Sequence, residues 1–246
     1  MLGGTTEASR LAKTLADQGF DAVFSYAGRT DAPVAQPLPT RIGGFGGVGG
    51  LVDYLKREGV THVIDATHPF AAQMSSNAVA ACTQTGVPLC AFERAPWAAQ
   101  PGDRWTLVPD LAGAVAALPQ APARVFLAIG KQHLSDFTAA PQHHYLLRLV
   151  DPPEGPLPLP DAKAVIARGP FDVQGDTDLL RSNCITHIVA KNAGGAGAEA
   201  KLIAARSLSL PVILIDRPAV PARDIRATLE GVMGWLAHHG ATPRGV

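Results

Sequence analysis

Three cysteines, Cys82, Cys90 and Cys184, are all the thiol this sequence carries. The number is odd, the spacing is wide and no Cys-x-x-Cys pair occurs. Neither a disulfide framework nor a zinc site is indicated, no metal is expected, and a reducing compartment is the simpler setting. Excess charge is missing too: Lys plus Arg and Asp plus Glu both stand at 21, which leaves no long-range basic field to hold a nucleic-acid backbone. An acidic ligand has to be met by a local cluster instead. No apolar run approaches the roughly 18 residues of a membrane span, and residues 1–10 lack a basic stretch followed by an apolar one. The expectation is a soluble, cytoplasmic protein without a nucleic-acid or membrane partner. Nothing fixes its oligomeric state, and a monomer is compatible with the sequence.

What is present suits a packed core. Apolar residues make up 47% of the 246 and charged residues 17%, while 25 Gly and 21 Pro stay below the share at which low-complexity disorder is the default. Short β-branched or apolar runs alternate with Ala/Leu-rich helical patterns, the sign of an α/β protein with parallel sheets covered by helices. Residues 20–26, 61–66 and 88–92 read as strands and 7–18, 51–58 and 71–85 as helices, with Gly19, Gly59 and Gly86 where C-cap glycines belong. Further strands are expected at 125–129, 145–150, 164–167, 185–190 and 212–215, and helices at 111–118, 172–181, 198–208 and 224–238. Residues 95–102, with two prolines and no periodicity, read as a linker, and the proline-rich 151–161 as an internal loop. Two α/β domains follow, 1–97 and 98–246, with a ligand cleft between them and a closing helix able to pack on either. Only Met1 and Leu2 precede Gly3, too few for the first strand of a dinucleotide fold, and a few residues before Met1 are expected to complete it.

Gly3-Gly4-Thr5-Thr6-Glu7-Ala8 opens the first helix, where backbone N–H groups can face a pyrophosphate. The full Gly-x-Gly-x-x-Gly fingerprint is absent, and the same residues serve equally as an ordinary strand-to-helix turn with a Thr N-cap. About 20 residues after a dinucleotide turn, an Asp or Glu normally accepts from the ribose of NAD, whereas an Arg takes the 2′-phosphate of NADP. Here Ser25-Tyr26-Ala27-Gly28-Arg29-Thr30 brings no acid before Asp31. Ser25 can donate and Arg29 can pair in a fork, which favours NADP. Glycines 43, 44, 46 and 47 flank Phe45 after the next short strand. They suit close approach of main chain to a ligand, with Phe45 over an adenine or nicotinamide face. No Gly-Lys-Ser/Thr follows, so this is not a Walker loop. Asp65-Ala66-Thr67-His68-Pro69-Phe70 stands at the carboxyl end of a strand, where open α/β sheets place ligand contacts. Thr67 is assigned to the coenzyme and His68 to ligand contact and proton donation, with water as the other proton source.

Taken in order, Gly-Gly-Thr-Thr-Glu-Ala at 3–8, Ser-Tyr-Ala-Gly-Arg at 25–29, Gly-Gly-Phe-Gly-Gly at 43–47, Asp-Ala-Thr-His-Pro-Phe-Ala at 65–71 and Lys-Asn-Ala-Gly-Gly at 191–195 with Lys201 resemble the precorrin-6A reductase family. The likeness continues through 204–206, 210–212 and 216–218, so it spans essentially the full chain; the clipped first strand departs from the pattern. The resemblance implies an NADPH-dependent oxidoreductase of cobalamin (vitamin B12) biosynthesis. It would reduce the acidic tetrapyrrole precorrin-6A to precorrin-6B, on two Rossmann-like domains facing each other. Because such a macrocycle carries many carboxylates, its site should gather positive groups. Lys131, His133, Arg168, Lys191, Lys201 and Arg217 are the candidates, each at the expected end of a strand or start of a helix. Lys191 leads them as the counterpart of the first half's ligand edge. Hydride transfer needs no protein nucleophile. The Tyr-x-x-x-Lys motif of short-chain dehydrogenases is absent, since Thr30, Glu58 and Leu149 stand four residues after Tyr26, Tyr54 and Tyr145. Two rival readings are a non-catalytic NADP-sensing module and a methyltransferase-like protein using S-adenosylmethionine.

Overall fold

The computed structural model describes residues 1–28 and 33–241. The chain divides into two compact units, Met1–Ala95 together with the segment from Ala219 onward, and Pro96–Pro218. The first unit begins with α1 (Thr6–Asp17), β1 (Phe24–Tyr26), β2 (Thr40–Ile42), α2 (Gly47–Arg57), β3 (Val63–Asp65), α3 (Ala72–Thr85) and β4 (Leu89–Phe92). The second holds β5 (Arg104–Val108), α4 (Leu111–Ala116), β6 (Arg124–Ala128), a 3-10 segment (Lys131–Ala139), β7 (His144–Leu149), β8 (Ala162–Ile166), α5 (Val173–Ser182), β9 (His187–Lys191), α6 (Ala200–Ser207) and β10 (Pro211–Ile215). The chain then returns to the first unit as β11 (Asp224–Arg226) and α7 (Leu229–His238).

Local chemistry sets the helix ends. Thr5, Asp110, Asp172 and Thr228 accept N-terminal N–H groups of α1, α4, α5 and α7. Gly19, Gly59 and Gly86 close α1, α2 and α3 at φ of 71°, 58° and 74°.

Every strand pair is parallel. In the first unit Leu2 bridges β1 at Ser25 and β3 at Asp65. The order is therefore β2-β1-Leu2-β3-β4-β11, that of a doubly wound nucleotide-binding sheet. Leu2 N donates to Ile64 O at 2.8 Å and Gly3 N to Ser25 O at 3.0 Å, so Met1–Leu2–Gly3 stand where the first strand belongs. The second sheet runs β8-β7-β6-β9-β10-β5, the same order with its sixth place filled by the strand that comes first in the chain. In the first sheet the sixth place is filled by the strand that comes last.

These placements correct two boundaries read from the sequence. Residues 224–226 are a strand hydrogen-bonded to β4, not the start of the last helix. Helix α7 packs Val232, Trp235 and Leu236 against Phe24 and Leu11 of the first unit, so the second unit closes at Pro218 instead of running to the C-terminus. Strand β5 was not expected at all. The opposite face of the first sheet packs Leu51, Leu55, Val63, Ala78 and Cys82, and the second unit centres on Phe126, Leu146, Ile188, Leu202 and Leu214. Among the described residues no helix is long and apolar enough to cross a membrane.

Candidate active site

The glycine turn lies at the point of the first sheet where the strand order reverses. A Cβ on Gly3 would sit 2.1 Å from the Phe24 ring, and Gly4 has φ +129° with open space around it. One glycine therefore permits packing and the other a backbone angle that side chains avoid. Thr5 accepts from Ala8 N at 3.1 Å and donates to Ala66 O at 3.0 Å, tying the turn to the loop after β3. Its hydroxyl is a cap, which leaves a ligand the main chain at the start of α1, where Thr6 stands. Glu7 is paired with Arg94, their side chains 20% and 18% exposed. A bare carboxylate here would repel an anion, and Arg94 neutralises it, a partner that no local sequence pattern reveals.

Ser25, 7% exposed, accepts from Arg41 Nη1 at 3.2 Å. Arg41 also donates to the carbonyls of Gly43 and Gly44, each at 2.6 Å, and its guanidinium carbon lies 3.8 Å from the Phe45 ring centroid. Phe45 meets Tyr54 edge-on at 5.1 Å. The ring expected to cover a base is thus turned to Arg41 and Tyr54, and Arg41 organises the loop of Gly43, Gly44, Phe45 and Gly46. Sequence reasoning passed over Arg41. Its signal was register, since it sits opposite Ser25 across the β1–β2 pair. Arg29 lies outside the described residues.

Asp65 ends β3 and is 3% exposed. Its Oδ1 accepts from Thr67 N at 3.1 Å and from Thr67 Oγ1 at 2.7 Å, and Thr67 Oγ1 lies 3.5 Å from Ser75 Oγ. His68 is exposed, and its Nδ1 accepts from Phe70 N at 3.2 Å. In the neutral ring the proton therefore sits on Nε2. Burial pushes the Cys82 and Cys90 thiols up to about 11, aided by the charges of Asp65 and Asp224 respectively, so neither is a thiolate nucleophile near neutral pH.

In the second unit, Lys131 follows Gly130 beyond the end of β6, Arg168 follows β8, Lys191 ends β9 and Arg217 follows β10. All four stand at the carboxyl edge of one parallel sheet. Lys131 Nζ is 3.7 Å from Glu154 and Arg168 is 3.6 Å from Asp151. Burial lowers the Lys191 pKa below its usual value. Arg217 donates to the carbonyls of Asn192 at 3.0 Å and Ala193 at 3.1 Å. His133, inside the 3-10 segment, is 3.7 Å from Asp136. Lys201 is 6% exposed, donates to Ala198 O and stands 4.9 Å over the Trp97 ring, so it underpins the loop after β9. Asn192 accepts from Trp97 N at 2.8 Å and donates to Trp97 O at 3.2 Å, while Trp97 Nε1 donates to Gly195 O at 3.1 Å. Trp97 was not singled out from the sequence, where the only hint was a bulky aromatic in a stretch of small residues read as a linker, and Asn192 entered only as part of the Lys-Asn-Ala-Gly-Gly motif at 191–195.

A family model described as precorrin-6x reductase CbiJ/CobK matches residues 1–237. The chain belongs to the precorrin-6A reductase family. It is 90% identical to a precorrin-6A reductase of Rhodobacter capsulatus over 246 residues, covering 100% of this chain and 98% of that protein. A precorrin-6A reductase of Sinorhizobium sp is 48% identical over 244 residues, with 96% and 93% covered. A solved structure titled CobK precorrin-6A reductase superposes with a TM-score of 0.97 at 91% identity, covering 100% of this chain and 98% of that one. Membership in a reductase family implies a nicotinamide cofactor.

Proposed function

We propose that the chain reduces precorrin-6A to precorrin-6B with NADPH in cobalamin biosynthesis, the coenzyme held by the first unit and the tetrapyrrole carboxylates by the carboxyl edge of the second. The observation that carries the coenzyme half is the strand order of the first sheet, in which the Gly3-Gly4 turn and the Thr67-His68 loop share the edge where such sheets bind dinucleotides. The residues fit that group: Gly4 lacks a Cβ where main chain would meet a pyrophosphate, and the Glu7 charge is cancelled by Arg94.

When bound, NADPH supplies the hydride, so no protein nucleophile is needed. The remaining proton comes from His68 Nε2–H or from water. Lys131, Arg168, Lys191 and Arg217 provide the positive edge for the substrate carboxylates, and a carboxylate beside the desolvated Lys191 would favour its charged form. Lys201 supports this edge from beneath its loop, and His133 flanks it.

Mixing enzyme, NADPH and precorrin-6A should give steady loss of NADPH absorbance; binding without loss would leave an NADP-binding module. Arg29→Ala tests the choice of coenzyme. It should weaken NADPH by roughly 1.5 to 3 kcal/mol, the scale of a charged hydrogen bond, and leave NADH nearly unchanged. Equal losses for the two coenzymes would refute the 2′-phosphate assignment.

A further inference from the structure

We infer that Asp65 is a positioning residue that fixes the polarity of the Thr67 hydroxyl, making Thr67 an obligate acceptor for the carboxamide N–H of the nicotinamide. The inference rests on the dinucleotide reading above and assigns a donor–acceptor pair within it. An ionised carboxylate only accepts, so the 2.7 Å contact directs the Thr67 hydroxyl hydrogen at Asp65 Oδ1. The Thr67 main-chain N–H reaches the same oxygen at 3.1 Å, which locks the residue on both its backbone and its side chain. Ser75 Oγ, at 3.5 Å, can only donate to an oxygen whose own hydrogen is committed elsewhere. What Thr67 presents outward is lone-pair density.

Two further observations point to a ligand. Asp65 is 3% exposed, and its Oδ2 has no hydrogen-bond partner among the described residues. A buried carboxylate with unmet capacity is costly to keep, and packing alone would be served by an apolar residue. It also ends the fourth strand of the doubly wound order, beside the half-exposed Thr67 and the exposed His68. Ribose hydroxyls can donate or accept and would adapt to a threonine of either polarity. The carboxamide nitrogen can only donate, so it is the group that requires an acceptor fixed in advance.

Binding of NADP+ and of its 3-acetylpyridine analogue, in which a methyl replaces the carboxamide NH2, separates the outcomes. Wild type should prefer NADP+. Thr67→Val, which keeps the shape, should weaken NADP+ and NAD+ alike by roughly three- to tenfold, as for one neutral hydrogen bond, and leave the analogue unchanged. Thr67→Ser should retain the preference. Asp65→Ala should erase it, and Asp65→Asn should keep it, because its amide oxygen can accept the same two bonds. Equal weakening of NADP+ and the analogue by Thr67→Val would overturn the inference, as would an undiminished preference in a folded Asp65→Ala variant. If wild type bound no NADP+, the dinucleotide reading itself would fail. If it bound NADP+ and the analogue equally well, only the role of Thr67 would fall.

Discussion

One added methyl group separates two neighbouring glycines of α2. A Cβ at Gly50 would lie 1.7 Å from the carbonyl oxygen of Phe45, whereas one at Gly49 would meet nothing within 4 Å. Gly50→Ala should therefore push the loop away from the helix, lowering the melting temperature and weakening the coenzyme together. Gly49→Ala should be neutral or stabilise by about 0.4–1 kcal/mol through reduced freedom of the unfolded chain. Thermal denaturation of the two variants, read beside NADPH affinity, checks both; a Gly50→Ala protein as stable as wild type would contradict the packing. The glycine-rich composition was legible as a loop needing bare backbone. The contact that demands it was not, because Gly50 and Gly3 serve internal neighbours, Phe45 and Phe24, that only the fold brings close.

At the scale of elements, the loop after β9 depends on Trp97. Removing its indole deletes the bond to Gly195 O and the cationic contact with Lys201, but leaves the two Asn192 bonds to the Trp97 backbone. Trp97→Ala should cost about 1.5–3 kcal/mol of stability from those two contacts. It should raise hydrogen exchange across 193–198 and raise KM for precorrin-6A while NADPH affinity holds. Unchanged exchange in that loop would show that Trp97 does not organise it. Elements such as α1, α3, β4 and β10 were readable because each carries its own signal, a cap or an apolar run bounded by turn residues. The two sixth strands were not. Asp224-Ile225-Arg226 is too short to display a period, and β5 is a half-exposed edge strand with Leu107 59% exposed. Their places are fixed by β4 and β10, distant in sequence, so no local pattern announces them.

Across the whole molecule, equal numbers of acids and bases hide an uneven response to acid. His143 is 1% exposed; its Nδ1 accepts from Ala123 N at 3.1 Å, and its Nε2 has no partner among the described residues. Burial lowers its pKa below 6.5, and burial followed by the charges of His143 and Arg104 lowers that of the half-buried His187. A depressed histidine pKa means that, as pH falls through about 6.5, the unfolded chain binds a proton that the folded chain refuses. Stability then falls with pH by at most about 1.4 kcal/mol per unit for each such group. The loss ends only below the folded-state pKa. Asp103 acts in a lower window. Burial works to raise its pKa, but the Arg206 hydrogen bond, the Gln100 N–H and the Arg206 charge together hold it below 3.8, so its contribution persists until the pH drops through that range. The melting temperature should thus decline between pH 7 and 5, above the range in which the Asp103–Arg206 pair is lost. His143→Asn, which keeps an acceptor for Ala123 N but cannot take up the proton, should flatten that decline. If the variant lost stability as steeply as wild type over the same interval, the buried imidazole would not be its source.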